Sequence, residues 1–238
     1  QKMLEITNKK LVFEYDTDQF DFVSMFSKVL NLKEVSIDSL HENIDNSLLP
    51  KSEISVDNDQ SQDIYSMLYK IDEGYKLSGC HINNRGKFLS KFDDFVNFLA
   101  KTVFKEDLVY QNRPTLRVAF PGNKAVGDWH RDREYNHPLE EINIWVPITK
   151  ANNTNTIWIE SEFDKEDYSP VNIDFGELLI FDSGLKHGNV LNQESKTRVS
   201  FDFRVIPASL YKEADSSFSY SQGIEFKIGN YYSKTAVY

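Results

Sequence analysis

The sequence predicts a mainly β fold, a sandwich or jelly roll, with helices gathered towards its N-terminus. Three observations predict it. After Lys105 apolar residues alternate with polar ones, as on strands. Turn pairs separate these runs, among them Pro121-Gly122, Asn152-Asn153, Phe175-Gly176 and Ser183-Gly184. Before Lys105 the apolar residues recur instead at helical spacing.

The elements follow in order. Residues 4–15, with Leu11-Val12-Phe13, read as a strand or an extended lead-in. Asp18 is placed to cap a helix through Leu30, whose inner face would carry Phe22, Val23, Phe26, Val29 and Leu30. The stretch from Asn31 to Asn58 is polar and has no clear period. A second helix is expected from Asp59 to Glu73, with Ile64, Met67, Leu68 and Ile71 as its stripe and Gly74 as its stop. Ser78 to Gly86 reads as a loop or short strand. The third helix, Phe88 to Phe104, turns Phe88, Phe92, Phe95, Val96, Leu99 and Val103 inward. Lys91, Asp94, Asn97 and Lys101 face away.

Three long strands come next. Leu116, Val118 and Phe120 alternate on the first, Ile142, Ile144, Val146 and Ile148 on the second, and Val199, Phe201, Phe203 and Val205 on the third. Shorter strands fit Thr156–Ile159, Leu178–Phe181 and His187–Leu191. The apolar face of each long strand should lie under the helices. The other face carries Arg117, Asn143, Trp145, Arg198 and Ser200, and burying such a face is costly unless it binds something. The expected organisation is one domain: a helical buttress over 1–105, a β core over 106–207 and a tail over 208–238. That tail, with Gly223 and Gly229 as hinges, or the polar stretch from Asn31 to Asn58, is a candidate lid.

Composition narrows the function. The chain has 238 residues, 40% of them hydrophobic, with 17 Phe and 12 Tyr, enough for a sizeable core. A formal net charge of -10 disfavours nucleic acid and anionic membranes as partners. The single cysteine, Cys80, excludes an intrachain disulfide and points to a reducing, cytoplasmic setting. No apolar run is long enough to cross a bilayer, and no signal peptide is evident.

The chemistry concentrates between Val126 and Arg204. His130 and Asp132 lie two apart, so on a strand they share a face. His187 follows 55 residues after Asp132. Two imidazoles and one carboxylate leave coordination positions open, which suits iron(II) and oxygen chemistry. Glu134 shares the same strand phase and is a rival ligand. His137 precedes Pro138 and reads as a loop or substrate residue. His41 and His81 carry no motif.

The order His130-Arg131-Asp132, His187, then Arg198-Val199-Ser200 resembles the iron(II)- and 2-oxoglutarate-dependent oxygenases. The runs HRDREYNHPLEEINIWVPIT, GELLIFDSGLKHGN and RVSFDFRV are similar to the branch named after a streptomycin-biosynthesis enzyme. The likeness spans roughly residues 113–207. It implies a double-stranded β-helix, a cupin-like jelly roll. His130, Asp132 and His187 would be the metal ligands, with Arg198 binding the distal carboxylate of 2-oxoglutarate and Ser200 adding a hydrogen bond. The implied reaction consumes molecular oxygen, releases succinate and carbon dioxide, and hydroxylates a substrate carbon. Halogenating relatives replace the carboxylate ligand with a small residue, so the retained Asp132 favours hydroxylation, desaturation or another oxidation.

The charged loop from Arg131 to His137 suits a small polar substrate such as a sugar, an aminocyclitol or an amino-acid-like metabolite. Arg117, Trp129, Tyr135, Asn143 and Trp145 are candidate substrate contacts, and core packing competes for the aromatic ones. Asn143 and Asn189 are also candidate donors behind the site. Arg117 and Arg204 would contact substrate or cofactor, or pair with Asp202 or Glu141. Two other readings remain: a metal enzyme of the same fold without 2-oxoglutarate, and a non-catalytic jelly roll that binds carbohydrate.

Overall fold

The computed structural model describes residues 4–29, 35–43, 77–78, 81–82, 87–122, 129–213, 218 and 223–238. The expected helix from Asp59 to Glu73, Cys80 and most of the polar stretch 31–58 lie outside the described residues. The described chain is mostly β, in two antiparallel sheets.

The large sheet runs β1 (Lys10–Glu14), β9 (Glu177–Asp182), β6 (Ile142–Pro147), β11 (Arg198–Pro207), β5 (Thr115–Ala119), β3 (His81–Ile82) and β2 (Leu77–Ser78). Beside it, β4 (Leu108–Gln111) pairs with both β11 and β12 (Tyr232–Lys234). The small sheet is β10 (His187–Gly188), β7 (Trp158–Ile159) and β8 (Ser169–Pro170). Two of the short strands are briefer than the alternation suggests, because Asn153–Asn155 turns as a 3-10 helix and strand pairing ends at Gly188.

Among the described residues three α-helices accompany the sheets: α1 (Phe22–Val29), α2 (Leu40–Asn43) and α3 (Lys87–Leu99). α1 starts later than expected. Asp21, not Asp18, caps it, accepting from Ser24 N at 3.0 Å. The residues before it make their own turn, with Asp16 accepting from Asp18 N and Gln19 N. α3 continues as a π-helical turn over Ala100–Phe104 and ends where Lys105 takes a left-handed conformation, φ 59.

Helical spacing puts Leu89, Phe92, Phe95, Val96 and Leu99 on one buried face of α3. Phe95 packs edge-on to Phe20 and Phe22, and Phe92 to Phe203, with ring centroids 5.1, 5.2 and 4.8 Å apart. Phe22 in turn meets Phe201 at 5.0 Å. Each such ring contributes about 1.5–3 kcal/mol through area removed from water. This core therefore fastens the helices to the outer face of β11.

A second core lies on the opposite face of the large sheet. Trp145, Leu179 and Phe181 from β6 and β9 meet Ile157, Ile159 and Ile173 around the small sheet. The cleft opens at the polar edge of this inner layer. The sheet also draws strands from both ends of the chain. β1 pairs with β9, and β12 pairs with β4 through Tyr232↔Gln111. Phe226, Tyr231 and Tyr232 are buried there. Among the described residues no helix is long and apolar enough to cross a membrane.

Candidate metal centre

β11 builds the floor of the site. Its alternation turns Val199, Phe201, Phe203 and Val205 to the helices and Arg198, Ser200, Asp202 and Arg204 to the cleft, all of them buried. β6 lies beside it with Asp202↔Trp145 and Arg204↔Asn143 in register. The cleft opens to solvent and is lined by Arg117, Asn143, Asp202 and Arg204 on its polar side. Trp145, Ile157 and Phe181 line its apolar side, with His130 and His187 at one end.

His130 and His187 are held by a two-way backbone bridge, each N donating to the other's O at 3.0 Å. Their ring centroids are 4.6 Å apart. Arg131 is extended, φ -108 and ψ 142, which keeps His130 and Asp132 on one side. The strand phase then stops, because Asp132–Tyr135 turns as a 3-10 helix. Glu134 is thereby removed as a rival ligand: its carboxylate folds back to accept from Arg131 N at 2.9 Å.

Asp132 is buried and its two oxygens differ. Oδ2 accepts from Arg204 Nε at 3.0 Å. Oδ1 has no hydrogen-bond partner and lies 3.5 Å from Nε2 of both His130 and His187. A buried carboxylate oxygen without a partner is costly, and a cation placed between it and the two imidazoles would satisfy it. Burial alone would push the Asp132 carboxyl up, but the Arg204 guanidinium and the neighbouring histidines together outweigh it and hold the group well below the usual carboxylate range. Burial pushes His187 down to about 4, so its ring is neutral at pH 7. His187 Nδ1 donates to Leu185 O at 2.9 Å, which leaves the Nε2 lone pair directed at the site. The three side chains therefore fit a divalent metal.

Arg198 is nearly inaccessible, at 1% exposure. Its Nε donates to Asn155 O at 2.7 Å, one Nη to Ser200 Oγ at 2.6 Å and the other to Asn189 Oδ1 at 2.8 Å. The guanidinium lies over the Trp145 ring, 5.5 Å from its centroid. Because Ser200 accepts from Arg198, its own O–H is left as a donor. Asn189 thus serves Arg198 rather than the metal ligands.

The other candidates fall into different places. Arg117 pairs with Asp202, Nε to Oδ1 at 2.7 Å, while lining the cleft. Asn143 lines the same cleft, is 4% exposed, and its Oδ1 has no partner. Trp145 serves both core and site. Trp129 stacks on Tyr168 at 4.0 Å and packs against Gly188, where an added Cβ would meet its ring at 2.9 Å. Tyr135, half-exposed, stands edge-on to His130 at 5.4 Å. His41 bonds Thr197 Oγ1. His137 binds Glu141 at 2.6 Å, and Glu141 also accepts from Tyr232 OH. His137, Glu141 and Asp132 are close enough for a second metal cluster, but both Glu141 oxygens are already engaged. The C-terminal segment packs on this pair, with Phe226 4.7 Å from His137.

The sequence offered Asp202 as a partner of Arg117 or Arg204, and both lie against it, but it did not offer the Arg204–Asp132 pair. The phase of Asp202 and Arg204 with Arg198 and Ser200 was the available signal. Glu141 and Tyr232 gave none, because their contact joins residues 91 apart.

No protein-family model matches the chain. The chain is similar to the streptomycin biosynthesis protein StrG of Streptomyces griseus, 44% identical over 128 residues, which cover 53% of this chain and 60% of that protein. The chain thus matches less than two thirds of that relative's length. Among solved structures, AviO1 from Streptomyces viridochromogenes Tue57 has a similar fold, with a TM-score of 0.53 at 14% identity, over 87% of this chain and 93% of that one. CytC3 with Fe(II) and alpha-ketoglutarate superposes at a TM-score of 0.46 and 15% identity over 92% of this chain and 81% of that one. That superposition is too loose to carry an inference about the site.

Proposed function

We propose that this protein is an iron(II)- and 2-oxoglutarate-dependent oxygenase on a double-stranded β-helix, oxidising a small polar metabolite. The observation that carries the reading is the unpartnered Asp132 Oδ1 facing Nε2 of both His130 and His187. These three side chains would hold iron(II) and leave its remaining positions to 2-oxoglutarate and oxygen. Bound there, iron(II) would supply oxygen activation, with molecular oxygen as the oxidant and 2-oxoglutarate as the co-reductant that leaves as succinate and carbon dioxide while a carbon centre is hydroxylated.

The chain's own residues bind, orient and exclude water. Arg198 would anchor the distal carboxylate of 2-oxoglutarate, exchanging its bond to Asn189 for one to the cofactor, and Ser200 would donate its O–H. Trp145 covers the guanidinium and shields that contact from solvent. Arg117 is paired with Asp202 and Arg204 with Asp132, so neither is the ready counter-ion of an acidic substrate. The unpartnered amide oxygen of Asn143 instead calls for a hydroxyl or amino donor. Resemblance to a streptomycin biosynthesis protein supports a sugar or aminocyclitol, and the retained Asp132 supports hydroxylation over halogenation.

The test is succinate formation from 2-oxoglutarate in air, with iron(II) and a panel of aminocyclitols, sugars and amino acids. Iron-dependent succinate release stimulated by one compound class, and absent in His187→Ala, is expected. No iron-dependent succinate under any condition would overturn the proposal.

A further inference from the structure

We infer that Arg204 is a positioning residue that makes Asp132 a one-oxygen ligand and so keeps a coordination position open for the co-substrate. The inference rests on the metal reading of His130, Asp132 and His187.

A carboxylate beside a metal can bind through one oxygen or through both. With two imidazoles already bound to a six-coordinate ion, the difference is decisive. One oxygen leaves three positions, enough for a chelating 2-oxo acid and a molecule of oxygen. Two oxygens leave one position too few. The structure separates the two Asp132 oxygens by chemistry: Oδ2 is engaged by Arg204 Nε at 3.0 Å, and Oδ1 alone faces the imidazoles.

Arg204 is itself held from several sides. One Nη donates to Gln111 Oε1 of β4 at 3.4 Å and lies 3.5 Å from Asp202 Oδ2. Asp202 is gripped in turn by Arg117 through Nε at 2.7 Å and Nη2 at 3.4 Å. The backbone of Arg204 is pinned by its register with Asn143 on β6. Charges thus alternate from partly exposed Arg117 through Asp202 and Arg204 to buried Asp132, and the first three line the cleft. A simple structural ion pair has no need to leave one oxygen of Asp132 without a partner. This arrangement leaves that oxygen where the ligand atoms converge.

The two accounts differ in what replacing Arg204 does. If Arg204 only stabilises the fold, R204Q should weaken metal and 2-oxoglutarate binding together. If it reserves Oδ2, the variant frees a second oxygen for the metal and removes a nearby positive charge. Metal affinity should then hold or rise while 2-oxoglutarate affinity falls.

The experiment titrates Co(II), an air-stable probe, into wild type, R204Q, R204K and D202N, and then titrates 2-oxoglutarate into each Co(II) form. Thermal unfolding establishes that each variant is folded. For R204Q we expect Co(II) affinity equal to or tighter than wild type and 2-oxoglutarate affinity at least about tenfold weaker, in the range of losses from partners of metal ligands. The d–d absorption of its Co(II) form should change before 2-oxoglutarate is added. R204K, which still donates to one oxygen, should recover most of the 2-oxoglutarate affinity. D202N loosens Arg204 without touching a ligand and should shift both quantities the same way by a smaller factor. Should R204Q not fold, the same split between the two affinities in D202N carries the test. Co(II) affinity falling in parallel with 2-oxoglutarate affinity, or 2-oxoglutarate affinity unchanged in R204Q, overturns the inference. Wild type binding Co(II) but no 2-oxoglutarate would instead overturn the oxygenase reading beneath it.

Discussion

The two faces of β11 are both buried and do opposite things. Towards the helices it presents Val199, Phe201, Phe203 and Val205; towards the cleft, Arg198, Ser200, Asp202 and Arg204. On the first face the driving force is area, non-directional and shared among many contacts. On the second each group needs a specific partner, because a buried charge without one is strongly destabilising. Most of that face is paired: Arg204 with Asp132, Asp202 with Arg117, Arg198 with Asn155, Ser200 and Asn189. Among the described residues three buried side-chain atoms lack a partner: Asn143 Oδ1 in the cleft, Asp132 Oδ1 between the two imidazoles, and Tyr15 OH in the helix-side core. Burial therefore does not mark a functional face here; two unpaired acceptors on neighbouring cleft-side residues do, where the apolar core leaves only the Tyr15 hydroxyl.

Substitutions can break this comparison. The largest effect is expected from His187→Ala, which would remove a proposed ligand and leave the Arg204–Asp132 pair intact. Iron(II) binding measured by anaerobic titration should be lost along with turnover, while the apo protein melts close to wild type. Asp132→Ala would be less clean, because it also strands the Arg204 charge. Wild-type iron affinity in His187→Ala would mean the ligands lie elsewhere. On the apolar face, Phe201→Ala should cost about 3–5 kcal/mol of stability in denaturant unfolding. The protein that remains folded should bind iron(II) as wild type does. Coupled loss of metal affinity would show that the two faces are not separable.

Arg198→Ala should leave iron(II) binding unchanged but weaken 2-oxoglutarate by roughly 30-fold or more, from about 2–5 kcal/mol for truncating one partner of a buried charge pair. Unchanged 2-oxoglutarate affinity would move the clamp to Arg117. Ser200→Ala deletes one hydrogen bond to a charged group and should cost less, about 1.5–3 kcal/mol on the same titration. A cost above that of Arg198→Ala would reverse their order.

Much of this was legible in the sequence, and the exceptions have physical causes. Alternation reveals a strand whose faces differ, as on β11. It cannot reveal β4, where Leu108, Val109, Tyr110 and Gln111 are all buried and no contrast survives. The helical stripe of α3 was readable because one face meets the core, but its π-helical end was not, since local hydrogen bonding decides it. Within the site, the spacing of His130 and Asp132 implied a shared side. The turn that carries Glu134 away depends on a backbone contact from Arg131, which strand phase does not encode. Long-range pairs such as Arg204–Asp132 and Tyr232–Glu141 are set by topology, so composition and spacing gave their members without their partners.

The most direct test of the central claim is the visible spectrum of the wild-type protein under anaerobic conditions. Iron(II) alone should leave the visible region featureless. Adding 2-oxoglutarate should produce a weak metal-to-ligand charge-transfer band that saturates with one equivalent and is absent from His187→Ala. Iron(II) bound tightly with no such band at saturating 2-oxoglutarate would contradict the account and leave a metal site of another kind.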